Sequence, residues 1–91
     1  MNPVTLEFYP RLVTPETQYA LYCALQIVFE TDVARPAHEL TTLRSYFRDA
    51  IAATERLRVR MSSAHAVAMA RRFNKDARLR NGYDVRFREQ Q

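Results

Sequence analysis

The chain has 91 residues, 47% hydrophobic and 26% charged, with a formal net charge of +4, which suits one folded domain and not a disordered segment. A single Gly excludes the Gly-rich phosphate loops of dinucleotide and nucleoside triphosphate sites, which need more than one. A single Cys excludes an internal disulfide and any multi-cysteine zinc site.

Val4-Thr5-Leu6-Glu7-Phe8-Tyr9 alternates apolar and polar residues and predicts a short strand, ended by Pro10. Thr14-Pro15-Glu16 is a helix start: Thr as N-cap, Pro at the first helical position, an acid in the first turn. That helix is expected to run to about Glu30. The run from Tyr19 to Leu25, then Ile27, Val28 and Phe29, leaves it almost no polar face. Such a helix is either central in the core or covered by a partner. Residues 31–36 read as a connector, with Pro36 opening a second helix over about residues 39–56. There Leu40, Leu43, Phe47, Ala50, Ile51, Thr54 and Leu57 fall in one arc at about 100° per residue. Leu43, Phe47, Ala50 and Leu57 are expected to be buried.

Arg56-Leu57-Arg58-Val59-Arg60-Met61 changes to a period of two and predicts a strand. Ser62 or Ser63 can cap a third helix, with Ala66, Met69, Ala70, Phe73 and Ala77 as its core stripe. Asn81-Gly82 supplies a helix stop or tight turn. Residues 83–88 alternate again, with Tyr83, Val85 and Phe87 turned to the core. The expected architecture is a single α+β domain over residues 1–91. Three helices pack on one face of a small antiparallel-type sheet of two to three short strands, in the order β-α-α-(β)-α-β. The first and last strands are neighbours.

Charge is unevenly spread. Residues 1–50 hold 4 Arg against 6 acids, while residues 51–91 hold 10 basic residues against 4 acids. The basic half points to an anionic partner. Arg71, Lys75 and Arg78 share one face of the third helix, and Arg72 flanks them. Arg86 and Arg88 add two cations on the polar face of the last strand, and Arg56, Arg58 and Arg60 form a separate row. Arg71, Arg72, Lys75, Arg78, Arg86 and Arg88 are the candidate contacts to nucleic acid or an acidic protein surface. The competing explanation of the same residues is a solvated basic face in an Arg-rich protein.

Catalytic chemistry finds little support. Cys23 sits mid-helix with no basic residue three or four positions away, so it is expected to be buried and unreactive. His38 lies in the connector and His65 early in the third helix. With Cys23 they would still need a fourth ligand for structural zinc. Asp76 precedes Arg80 by four and reads as a helix-stabilising pair. No catalytic residue, cofactor or metal is expected. A helix-turn-helix over residues 59–66 would put Arg60 where Gly usually sits, and an RNA-recognition strand at residues 81–87 would need aromatics the core claims. The expectation is a non-enzymatic binding module for nucleic acid. The alternative is a protein-interaction module, such as a small viral or mobile-element inhibitor or adaptor. Tyr19, Tyr22 and Phe29 would lie at its interface, or in a homodimer contact. The first residues lack the basic and apolar regions of a signal peptide, and the apolar run from Tyr19 to Leu25 is too short to cross a bilayer. A soluble cytoplasmic protein without a membrane partner is expected.

Overall fold

The computed structural model describes residues 3–30 and 37–89. The elements are β1 (Val4–Pro10), α1 (Pro15–Glu30), α2 (Ala37–Ala52), β2 (Leu57–Met61), α3 (Ser63–Lys75), α4 (Ala77–Gly82) and β3 (Tyr83–Glu89). The connector 31–36, with the expected role of Pro36, lies outside the described residues. The strands form an antiparallel sheet in the order β2-β1-β3. This is the α+β class expected, with first and last strands paired and residues 57–61 as a true strand.

Alternation fixes which side of the sheet carries the core. Leu6, Phe8, Leu57, Val59, Met61 and Tyr83 are buried on the inner side, against the helices. The register sets Glu7 between Arg58 and Arg86, and Thr5 between Arg60 and Arg88, on the outer side. Phe87 has inner parity yet is 56% exposed. It was expected in the core; instead it borders an open gap of about 400 Å³ with Val4, Val67, Ala70 and Arg71.

The all-apolar character of α1 has a structural cause: α1 packs against α2, α3 and α4. Ala20, Leu21, Ala24, Leu25, Val28 and Phe29 are buried. Its start is fixed by a reciprocal cap. The Thr17 N–H donates to Thr14 Oγ1 at 3.2 Å, and the Thr14 N–H donates to Thr17 Oγ1 at 2.9 Å. In α2, Phe47 is 1% exposed and meets Phe29 at 5.5 Å between ring centroids. Leu43 and Ala50 pack partly buried against the same cluster. The helix ends at Ala52, earlier than the expected 56, and Thr54 follows with a φ of 58°. Leu57 is buried as expected, but as the first residue of β2.

The third helix is broken in two, giving four helices among the described residues where three were expected. Asp76 leaves helical geometry, with φ −118° and ψ 109°. Its backbone N–H closes α3 on the Arg72 carbonyl, and its carboxylate caps α4 by accepting from the Arg78 N–H at 3.0 Å. The expected Asp76–Arg80 pair is absent from this arrangement. Asp76 pairs with Arg78 at 2.8 Å, while Arg80 donates to the Phe73 and Asn74 carbonyls at the end of α3. The break rotates the chain, so Leu79 becomes the buried anchor and Ala77, expected in the core stripe, is exposed.

Candidate functional site

The outer side of the sheet gathers the basic rows. β2 contributes Arg58 and Arg60, the residue before it contributes Arg56, and β3 contributes Arg86 and Arg88. All five are exposed. The helices occupy the opposite side, so this face is open. Among the described residues, two carboxylates share it: Glu7 on β1 and Asp84 on β3.

Glu7 sits in the middle of the arginines and its side chain is 1% exposed. Arg88 Nε donates to Glu7 Oε1 at 2.5 Å, and Arg58 Nε donates to Glu7 Oε2 at 2.9 Å. Arg56 approaches Oε2 to 3.9 Å. The Arg88 hydrogen bond is the main cause that holds the Glu7 carboxyl below its ordinary pKa; burial opposes it, and the charges of Arg88 and Arg58 reinforce it. Arg88 is raised in turn by the same bond. Glu7 thus orders two guanidiniums without neutralising the face. Tyr9 lies beside it, with Arg86 at 4.6 Å and Arg56 at 5.9 Å from the ring centroid. Arg60 has no ion-pair partner among the described residues.

The six candidate contacts do not form one site. Arg86 and Arg88 belong to the open sheet face. Arg71 and Lys75 are exposed on α3, on the helix side of the molecule, and Arg72 is half-buried. Arg78 does not share their face: it belongs to α4, where Asp76 holds it. The sheet instead recruits Arg56, Arg58 and Arg60, which looked like a separate row because their neighbours depend on β1 lying between β2 and β3.

The proposed protein-contact aromatics also divide. Phe29 is 4% exposed and packs in the core with its ring tilted against those of Phe47 and His65. Tyr22 is half-buried, and Tyr19 is exposed. These two tyrosines line a groove of about 430 Å³ between α1 and α2 with Pro15, Gln18, Arg48, Ile51 and Ala52. Cys23 is half-buried and free, not fully buried as expected. Its hydrogen bond with Tyr19 is the main cause that raises the phenol above its ordinary pKa, and Arg78, itself raised chiefly by its hydrogen bond to Asp76, lies within electrostatic reach of this pair. The sequence around Cys23 gave no sign of Arg78, which α4 brings back to α1. His38 is exposed in the first turn of α2, not in the connector. Among the described residues, no group of three or more His, Cys, Asp or Glu is placed to hold a metal ion, and no helix is long and apolar enough to cross a membrane. No protein-family model, curated protein or solved structure matches the chain.

Proposed function

We propose that the protein is a non-enzymatic binding module whose arginine-lined sheet face contacts nucleic acid. The observation that carries this reading is the convergence of Arg56, Arg58, Arg60, Arg86 and Arg88 on one open face where, among the described residues, only Glu7 and Asp84 are counter-charges. Arginine suits this role because its planar fork matches phosphate oxygens. Contacts of this kind give affinity and orientation without reading bases. A cytoplasmic setting goes with this reading, where nucleic acid and an unpaired thiol both belong.

The test is binding to random single-stranded and duplex DNA and RNA across a salt series. Neutralising about three phosphates predicts a log-log slope of roughly −2 to −3. The variant Arg56→Ala/Arg60→Ala/Arg86→Ala spares both arginines that donate to Glu7. It should lose affinity at least about tenfold and flatten the slope. Arg71→Ala/Lys75→Ala, on the helix side, should bind as wild type. Loss of binding in the helix variant alone would move the site to α3. No salt-dependent binding to any of these nucleic acids would remove the reading.

A second reading, a protein-interaction module of the small inhibitor or adaptor kind, draws on the groove between α1 and α2. Tyr19 offers a 63% exposed ring there, and Tyr is enriched in interface hot spots. If nucleic acid does not bind, this groove becomes the first surface to mutate, beginning with Tyr19→Ala.

A further inference from the structure

β3 is an edge strand: β1 lies on one side and no described strand on the other. The outward N–H and C=O groups of such an edge can pair with another chain. The apolar ring of Phe87 stands uncovered beside this edge. Whether a strand can pair with its own copy depends on which charges meet. In an antiparallel pair around a two-fold axis, the pleat sets like faces opposite each other. With Val85 opposite Val85 of a second copy, Asp84 faces Arg86 of the second copy, and Arg86 faces its Asp84. Both cross-strand pairs are attractive, and Phe87 gains Tyr83 of the second copy as its neighbour. Moving the register one residue toward the C-terminus centres it on Arg86 and sets Arg86 against Arg86; moving it one residue toward the N-terminus centres it on Asp84 and sets Asp84 against Asp84.

The other edge behaves differently. The outward residues of β2 are Arg58 and Arg60 alone. Every self-pairing register of β2 therefore sets arginine against arginine. One edge is closed to its own copy by charge, and the other is complementary to it.

We propose that two copies of this chain join through β3, antiparallel and centred on Val85, into a six-stranded sheet ordered β2-β1-β3-β3-β1-β2. The contact is isologous and closes, so it yields a dimer and not a filament. The two open faces lie on the same side, so the dimer carries ten arginines on one surface. This proposal is independent of the ligand assigned to that surface.

A charge swap tests it. Size-exclusion chromatography with light scattering, over a concentration series, should show wild type as a dimer. Asp84→Arg and Arg86→Asp should each weaken the dimer about tenfold, because two attractive pairs become repulsive. The double variant Asp84→Arg/Arg86→Asp restores complementarity and should dimerise like wild type. Circular dichroism on each variant checks that the fold is kept; both residues are exposed. A wild-type monomer up to about 1 mM overturns the proposal. So does a dimer that ignores the single swaps, which uses another face, or a folded double variant that does not recover.

Discussion

Glu7 is a nearly enclosed carboxylate whose partners are arginines from both neighbouring strands. Its pKa is lowered from an ordinary 4.5. A carboxylate lowered on folding stabilises the folded state above its ordinary pKa, and that contribution fades as pH falls through the lowered folded value. Thermal melts from about pH 7 to about pH 3 should therefore show Glu7→Gln less stable than wild type at neutral pH, with the gap closing in acid. Glu30 and Asp76 are also lowered, chiefly by hydrogen bonds from Arg44 and Arg78, so both proteins lose stability in acid. Only the difference between them belongs to Glu7, and parallel pH curves would assign Glu7 no such role. The same variant removes a counter-charge from the face and should bind polyanions more tightly at low salt. Gly82 carries a different constraint. It does not need positive φ; it needs space. A Cβ there would meet Thr17 Cβ at 2.7 Å and Thr17 Cγ2 at 3.0 Å. Its carbonyl also accepts from the Arg11 N–H at 2.7 Å, so neither backbone can step back freely. Overpacking of this kind outweighs the helix propensity gained by Ala, and Gly82→Ala should cost about 1–2 kcal/mol in urea unfolding. An unchanged midpoint would show that α4 shifts without strain.

The elements were legible in the sequence in proportion to how local their causes are. β1, β2 and β3 were read from alternation, and α1 from Thr14-Pro15-Glu16, because a strand's period and a helix cap are visible within a few residues. The division of the third helix was missed. Asp76 with Arg80 has the spacing of a helical pair, and neither Gly nor Pro marks the break. What decides the matter is that Leu79 packs into the core from a redirected axis and that Asp76 caps in both directions. An Asp between Lys75 and Ala77 was the available signal, since Asp favours an N-cap over a helix interior. Asp76→Ala should destabilise the protein by about 1 kcal/mol through loss of the α4 cap, while Asp76→Asn should retain most of it. If Ala matches wild type, the backbone alone holds the break.

At the scale of the whole molecule, the sequence showed that the second half is basic but not where that charge collects. Three basic rows were visible. Which of them adjoin is a matter of strand order, and strand order is set by pairings between β1 and residues more than forty positions away. With β1 central, Arg58 and Arg88 meet around Glu7. The same pairings leave Arg71 and Lys75 on the helix side, so the sheet and the helix offer two separable basic surfaces. The paired arginine variants given above distinguish them by their salt slopes.

The central position of β1 also bears on how the chain is made. Synthesis runs from the N-terminal end, so β1 emerges before either of its neighbours. Residue 61 must emerge before its first edge can close, and residue 89 before its second. At about 5–20 residues per second, the interval from the end of β1 to the end of β3 is roughly 4–16 s. Through that time the backbone of Val4–Tyr9 has no native strand on at least one side, although Leu6 and Phe8 on it end fully buried. The strand that organises the finished sheet is thus the one that waits longest, and the pace of translation sets its exposure.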